Sequence, residues 1–233
     1  KAKLKLAEID AGGVNVSLCV PCVPEDLATL RAVLMPSVRE QTHPPEEVIV
    51  SLSSTGDREA RQLGEELRRL SPSLSVRVLN KAGPALAGEN RNRAARASRN
   101  DVVAFVDADD AMHPRRLEVM AHVFRSVHPK VALHGYSKGT SEVAPLPDEF
   151  EILYGSQIYN SGLGMLGSRT YAVHQGQPTL DRHVFEGVQQ QELPRGQDVR
   201  FLNDVLKQYG PHEDTIVYVG LPLTRFSNWA TGR

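Results

Sequence analysis

Three aspartates stand directly after an apolar stretch in the middle of the chain, where they could bind a metal ion. Residues 102–106 predict a buried β-strand, and Asp107, Asp109 and Asp110 follow within four positions. Carboxylate oxygens suit hard cations such as Mg²⁺ and Mn²⁺, whose coordination shell is completed by phosphate or water. Ligands of α/β sheets bind at the C-terminal edge of the strands. Two spaced carboxylates alone would favour a solvated turn that caps the next helix, but together with the flanking segments the pattern favours a divalent-cation site.

Strands and helices alternate along the first half of the chain, and these elements must position the aspartates. Apolar runs predict the strands, and apolar residues at helical spacing predict the helices. The alternation implies an α/β fold with a mostly parallel sheet and helices on both faces. The first strand is expected to stop at Pro21. The predicted strands span 14–20, 48–52, 76–79 and 102–106, and the predicted helices 27–38, 58–70, 85–98 and 114–127.

The regular pattern loosens after about residue 127. Residues 137–150 and 174–196 are rich in Gly, Pro, Gln and charge, which predicts two long loops. Loops of this length in a compact domain tend to be functional or mobile. A short strand at 162–166, a helix at about 198–209 and a last strand at 215–219 complete the prediction.

Composition narrows the class of protein. The 233 residues suffice for one domain, and a net charge of −1 gives no sign of a nucleic-acid partner. No apolar run approaches the roughly 18 residues of a membrane span, and no signal peptide is seen at the start. Cys19 and Cys22 predict two reduced thiols rather than a zinc site, because no second pair of cysteines exists. We therefore expect a cytoplasmic protein, and the start at Lys1 leaves open that it is part of a longer one.

Several motifs follow one another in a recognisable order. Residues 37–50 place Gln-Thr-x-Pro-Pro-Glu-Glu before the second strand, and Arg91-Asn92 lies in the helix before the aspartates. The block at 105–110 reads Phe-Val-Asp-Ala-Asp-Asp, residues 195–202 contain Gly-Gln-Asp, and residues 222–226 read Pro-Leu-Thr-Arg-Phe. Each motif alone is weak evidence, but the ordered set covers nearly the whole chain. It resembles the glycosyltransferases of family 2, which have a GT-A fold.

The resemblance implies the reaction and the division of the chain. A single domain would consist of a nucleotide-sugar-binding half at about 14–130 and an acceptor-binding half at about 131–233. The donor would be a nucleotide-diphosphate sugar, and the acceptor a hydroxyl of a glycan or glycoconjugate. Mn²⁺ or Mg²⁺ would stabilise the charge on the leaving diphosphate as a Lewis acid. The reaction would invert the configuration at the anomeric carbon of the donor sugar.

The resemblance also assigns roles around the aspartates. Asp109 is the first choice as metal ligand, and Asp107 would be a second ligand or would bind the ribose hydroxyls. Ala108 lies between them in the donor site, and Arg91 would contact the diphosphate. Asp110 is expected to cap the following turn instead.

A base for the acceptor hydroxyl is the second chemical requirement. By resemblance, Asp198 fills this role, because it follows a glycine at the start of a predicted helix. In an inverting reaction it would accept the proton as the acceptor oxygen attacks. The alternative role of Asp198 is to cap the helix at 198–209.

The nucleobase pocket departs from the family's pattern. The second strand of the family normally ends in two aspartates, one of which binds the base, and the first strand ends in Pro-x-Tyr-Asn. Neither motif is present here, so uracil cannot be assumed. The hydroxyl of Ser53 or Ser54 could still hydrogen-bond the edge of a nucleobase. Glu25 keeps an acidic group near the position where the family has one. The candidate residues of this pocket are Pro21, Cys22, Val23, Glu25, Ser53 and Ser54.

Two other classes of protein remain open at this point. A phosphatase of the haloacid dehalogenase type also has an apolar strand followed by Asp-x-Asp, with the first aspartate as nucleophile. In that class the motif usually opens the fold, whereas here it begins at Asp107. A domain that binds a sugar nucleotide or glycan without turnover is the non-enzymatic alternative, to which the missing aspartate pair gives some weight.

Overall fold

One sheet of ten strands forms the centre of the protein. The computed structural model describes residues 2–138, 145–155, 177–194 and 196–226. The strands are β1 (Ala2–Lys5), β2 (Val16–Cys22), β3 (Glu47–Ser53), β4 (Val76–Lys81), β5 (Val102–Phe105), β6 (Ala111–Met112), β7 (Val131–Lys138), β8 (Glu149–Leu153), β9 (Thr179–Asp181) and β10 (Ile216–Phe226).

The strands lie in the order β1-β8-β10-β7-β9-β5-β2-β3-β4, and β6 pairs with β10. β5, β2, β3 and β4 are parallel neighbours, and so are β7 and β10. β9 lies between β5 and β7 and is antiparallel to both, so those two strands point the same way. The predicted mostly parallel α/β sheet is therefore confirmed. Because the parallel strands end at one edge, the residues that follow β2, β3 and β5 meet there.

Helices cover the sheet on both sides. The first helical region changes its winding: α1 passes into a π-helical turn, Leu30–Leu34, and then into α2. The wide turn precedes Pro36, which has no N–H to donate and whose ring would clash with a regular preceding turn. The helices are α1 (Leu27–Thr29), α2 (Met35–Arg39), α3 (Asp57–Leu70), α4 (Ala87–Ala97), α5 (Arg116–Val127), α6 (Val184–Gly187) and α7 (Gln197–Tyr209).

Two hydrophobic clusters lie against the two faces of the sheet. One packs the helices from α1 to α3 and α5 onto the sheet, and the other packs α4, α6 and α7 onto the opposite face. Successive residues of β2 alternate between them, with Leu18 and Val20 in the first cluster and Cys19 in the second. Burial on both faces explains why the strands are apolar with little alternation.

The prediction that Pro21 ends the first strand is wrong. β2 continues to Cys22, and Pro21 pairs with Ser51 of β3. The ladder between β2 and β5 ends at Cys19 and Phe105, so one side of Pro21 carries no ladder partner. A proline without an N–H is tolerated where a strand has such an open side.

The predicted loops of the second half contain regular structure. β8 starts inside the loop predicted at 137–150, and β9 and α6 lie inside the loop predicted at 174–196. β7 and β1 were not predicted, and β10 is longer than the predicted strand at 215–219. These short strands are held by pairing in a large sheet, which local composition does not reveal. The strand predicted at 162–166 lies outside the described residues.

Three aromatic rings join the central strand to the helices of the second half. Phe105 at the end of β5 packs edge-on against Phe185 of α6, with ring centroids 5.8 Å apart. Phe185 in turn stacks on Phe201 of α7 at 5.9 Å. All three rings are buried, so they fix α7 relative to the end of β5.

Removal of the middle ring is expected to destabilise the protein strongly. Phe185→Ala would leave a cavity between β5 and α7 and lower the free energy of unfolding by about 3–5 kcal/mol. Urea unfolding followed by circular dichroism measures this. Leu70→Ala is the control, because Leu70 is 43% exposed and should change stability by less than about 0.5 kcal/mol. Equal effects of the two substitutions would contradict the role of the aromatic cluster.

Candidate active site

The aspartate loop connects β5 to β6 at the C-terminal edge of the sheet. The N–H of Val106 still donates to the carbonyl of Cys19 at 3.2 Å, so the loop begins pinned to β2. The N–H of Asp110 then donates to the carbonyl of Asp107 at 3.2 Å, which closes a turn. Asp107 and Asp109 are half-buried in this turn, and Ala108 between them is buried. Two carboxylates are thus held at the edge where the parallel strands end.

Asp26 joins the aspartate loop from the start of the first helix, and it was not among the predicted site residues. Burial raises the pKa of Asp26, and the neighbouring charge of Asp109 and then that of Asp107 raise it further. The three carboxylates therefore lie within electrostatic range of one another. Glu25, which was predicted in its place, is exposed. One feature of the sequence could have identified Asp26 as a site residue, namely its position just before the helix that follows β2.

Asp198 faces the same region from the other half of the chain. α7 begins after Gly196, whose φ of 75° is in the left-handed region that favours glycine. The N-cap of α7 is Gly196 and Asp198 lies within the first turn, so the alternative role of Asp198 as helix cap is wrong. Burial raises the pKa of Asp198, the Arg91 guanidinium opposes this, and Asp107 adds to it. A carboxylate with a raised pKa is suited to accept a proton.

Arg91 connects the two sets of carboxylates. Its Nη2 donates to Oδ1 of Asp107 at 2.7 Å, and its Nη1 donates to Oδ1 of Asp198 at 3.2 Å. The Arg91 residue is only 3% exposed. Burial alone would lower the pKa of Arg91, but the charges of Asp107 and Asp198 outweigh this and raise it. One buried cation therefore links the end of β5 to the start of α7.

Asp110 is buried in a hydrogen-bonded network and is not the N-cap of the next helix, α5. Its predicted role as cap of the turn that follows it stays a prediction. The N-cap of α5 is Arg115, because β6 intervenes after the aspartate loop. The carboxylate of Asp110 accepts a hydrogen bond from Nε2 of Gln177. Arg116, also fully buried, donates to the side chain and the carbonyl of Gln177, each at 3.2 Å. Burial lowers the pKa of Arg116 to about 10, although Asp110 and Asp107 raise it in part.

The predicted nucleobase residues have unequal access to the edge of the sheet. Ser53 is buried, and its hydroxyl accepts a hydrogen bond from Nδ2 of Asn90 at 3.0 Å. Ser54 is exposed and has a φ of 57°, in the left-handed region. Pro21 and Cys22 are buried at the end of β2, whereas Val23 is half-buried. Of the two serines, Ser54 is therefore the one that presents its side chain to solvent.

The thiols of β2 are shielded rather than reactive. Burial raises the pKa of Cys22 to about 12, and the charges of Asp26 and Asp109 contribute to this. Burial likewise raises the pKa of Cys19. Both cysteines are free thiols, as predicted. The proximity of Cys22 to Asp109 shows that the end of β2 borders the aspartate loop.

The carboxylate oxygens of the loop fit a hard cation whose remaining ligands come from a bound phosphate or from water. In the described parts of the chain, no three side chains of His, Cys, Asp or Glu form a metal-binding group by themselves. Mg²⁺ is commonly held by one or two carboxylates and completed by substrate phosphates. Asp107 and Asp109 are the two half-buried carboxylates of the loop that could act in this way.

A mostly parallel sheet that includes the antiparallel strands β8 and β9, with carboxylates at its C-terminal edge, agrees with the expected GT-A fold. The family model for "Glycosyl transferase family 2" matches residues 17–163, more than half of the chain. The chain therefore belongs to glycosyltransferase family 2, which confirms the resemblance found in the sequence. No curated protein sequence matches the chain.

Solved structures of similar fold support the same class. S. aureus TarS 1–349 aligns with a TM-score of 0.65 and 17% identity over 92% of this chain and 60% of that chain. The mannosyltransferase PcManGT from Pyrobaculum calidifontis, in complex with GDP-Man and Mn²⁺, aligns with a TM-score of 0.66 and 14% identity. That alignment covers 98% of this chain and 61% of that one. TarS structures in complex with UDP and with UDP-GlcNAc give TM-scores of 0.62 and 0.63.

The chain spans about three fifths of the length of these structures. At such low identity the alignments show a shared fold. None of the described helices has the length and apolar character needed to cross a membrane.

Proposed function

We propose that this chain carries the catalytic centre of a metal-dependent, inverting glycosyltransferase. The donor is a nucleotide-diphosphate sugar, and the acceptor is a hydroxyl of a glycan or glycoconjugate. The observation that carries the proposal is the pair of contacts made by Arg91, which bring Asp107 and Asp198 to one guanidinium. A donor-side carboxylate and a base candidate are thereby present at the same edge of the sheet.

The aspartate loop would hold the cation of the donor complex. Asp109 is the proposed ligand of Mn²⁺ or Mg²⁺, with Asp107 as second ligand or as partner of the ribose hydroxyls. When bound, such an ion stabilises the negative charge that develops on the diphosphate as a Lewis acid. Asp26 adds a third carboxylate to this negatively charged region, which supports the preference for a divalent ion.

Asp198 would be the base of the transfer. Its carboxylate accepts the proton of the acceptor hydroxyl as that oxygen attacks the anomeric carbon. The bond from the anomeric carbon to the diphosphate breaks on the opposite face, so the configuration is inverted and the nucleoside diphosphate leaves. The raised pKa of Asp198 makes its carboxylate a better proton acceptor than an ordinary aspartate.

The nucleobase pocket is the part of the site that departs from the family's pattern. Related structures were solved with UDP, with UDP-GlcNAc and with GDP-Man, so the fold accommodates both bases. In this chain we propose that the nucleobase lies near Val23, Glu25 and Ser54, beside the buried Pro21 and Cys22. A base pocket without the family's aspartate pair must bind its nucleobase by different hydrogen bonds.

The two rival classes are less well supported. Membership of family 2 argues against a phosphatase, in which Asp107 would act as nucleophile. The contact between Asp198 and Arg91 argues against a domain that binds sugars without turnover, because the base candidate is retained in the site. The division into halves at about 14–130 and 131–233 and a cytoplasmic location stay predictions.

A panel of donors with and without metal tests the proposal. At a hundredfold excess over its dissociation constant, a ligand stabilises the folded state by about 2.7 kcal/mol, which raises Tm by roughly 5 °C or more. We expect one UDP- or GDP-sugar to do this with Mn²⁺ or Mg²⁺, and EDTA to reverse most of the shift. Differential scanning fluorimetry measures it. A panel in which no donor stabilises the protein with either metal would reject the proposal.

Replacement of Asp198, the proposed catalytic base, separates catalysis from donor binding. Asp198→Asn is expected to lower transfer by about 10²–10⁴-fold, because the amide cannot accept the proton. The Tm shift with the donor should survive, since Asp198 lies outside the proposed nucleotide contacts. Asp101→Asn is the control, because the Asp101 side chain is 83% exposed at the start of β5, away from the site. Unchanged transfer in Asp198→Asn would exclude this residue as the base.

The proposed role of Asp198 as catalytic base also predicts how the rate of transfer changes at low pH. Asp198 must be ionised to accept a proton, and its pKa lies above the ordinary 3.8. Transfer should therefore fall as the pH drops through this raised pKa, by about tenfold per pH unit below it. The measurement is kcat/KM for the donor from about pH 4 to about pH 8. Persistence of the same fall at low pH in the residual activity of Asp198→Asn would assign it to another group.

A further inference from the structure

The segment Gln189-Gln190-Gln191 lies directly on helix α4. Nδ2 of Asn92 donates to the carbonyl of Gln190 at 2.7 Å, and the N–H of Gln190 donates to Oδ1 of Asn92 at 2.9 Å. A β-carbon on Gly88 would lie 2.6 Å from the carbonyl oxygen of Gln191, closer than such contacts occur. The glycine therefore permits the close approach, and the Asn92 amide fixes the register of the segment.

The same segment also contacts the residues around the proposed base. Oε1 of Gln190 accepts a hydrogen bond from Nη1 of Arg91 at 3.4 Å, and this nitrogen also donates to Asp198. Nε2 of Gln191 donates to Oδ2 of Asp204 in α7 at 2.9 Å. Gln190 is 3% exposed, so its contact with Arg91 is made away from bulk solvent. The segment thus contacts α4 and α7 at once.

We propose that Arg91 is a positioning residue for the transfer reaction, and that Gln190 orients its guanidinium so that Asp198 stays aligned with Asp107. This inference rests on the proposed role of Asp198 as base. The two carboxylates come from different halves of the chain and are each partly exposed, at 26% for Asp107 and 28% for Asp198. Arg91 supplies the rigid buried group between them, and its effect reaches the acceptor through Asp198.

The geometry requires an arginine rather than any cation. Asp107 and Asp198 use different nitrogens of one planar guanidinium. A lysine ammonium is a point charge on a flexible stem and cannot reproduce this fork. Arg91→Lys would keep the charge and lose one of the two contacts, whereas Arg91→Met would lose both.

Steady-state kinetics distinguishes positioning from donor binding. The probes are UDP-GlcNAc and GDP-mannose with Mn²⁺, and the readout is release of the nucleoside diphosphate, with water as acceptor where no glycan is supplied. Arg91→Met should lower kcat by at least about 10²-fold with KM for the donor changed less than about threefold. Arg91→Lys should recover part of kcat. A rise in KM with unchanged kcat would overturn the proposal, because Arg91 would then act on the diphosphate.

Glutamate substitutions in the same segment give a matched comparison. Gln190→Glu would present Arg91 with a carboxylate that competes with Asp198, so kcat should fall by about tenfold or more. Gln189→Glu is the control, because the exposed Gln189 contacts Arg96 on the surface of α4 and should leave kcat unchanged. Equal kcat values for the two variants would contradict the role of Gln190.

A stability measurement separates failure of this inference from failure of the proposed function. If the wild-type chain released no nucleoside diphosphate from any donor, the proposed function would fail. The contact itself is then tested by urea unfolding of Arg91→Met, Asp198→Asn and the double variant. The double variant should lose less in its unfolding equilibrium constant than the product of the two single losses. Independent, multiplicative losses would overturn the inference.

Discussion

The arrangement of the site depends on one buried guanidinium. Arg91 is almost fully enclosed, and without partners a buried charge would be strongly unfavourable. Its two carboxylate partners, Asp107 and Asp198, compensate this charge, and each of them is held at a defined place by doing so. The requirement to neutralise Arg91 therefore brings together residues that are far apart in the chain. The same constraint makes the contact sensitive, because removal of any partner leaves charge uncompensated.

The rest of the fold can be understood as support for this contact. β5 is enclosed by helices on both faces, so the start of the aspartate loop has little freedom. Phe105, Phe185 and Phe201 tie α7 to the end of that strand. Arg116 donates to the carbonyl of Phe105 at 2.5 Å, which fixes the strand end from the other side. Apolar packing and the ionic contacts of Arg91 thus both connect α7 to the end of β5.

The sequence was sufficient to predict the class of fold and to single out the carboxylates that lie after β5 and at the start of α7. Hydrophobic periodicity located β2 to β5 and the helices between them, because strands buried on both faces leave a strong apolar signal. It did not locate β7, β8 or β9, whose pairing depends on residues distant in the chain. Asp26 and Gln190 were missed for the same reason. Their importance comes from what they contact, and neither belongs to a local motif.

The altered end of β3 changes the charge distribution of the site. Where the family has two aspartates, Ser53 is buried and hydrogen-bonded to Asn90, which also accepts a hydrogen bond from Ser51 at 3.1 Å. The β3 residues of this network carry no charge, whereas Asp26, Asp107 and Asp109 lie close enough to affect one another electrostatically. A diphosphate would meet these carboxylates at close range, and the cation proposed at Asp109 would offset their repulsion. Under the proposed function, the absence of the aspartate pair at the end of β3 would therefore leave the electrostatic need for a metal at the diphosphate in place.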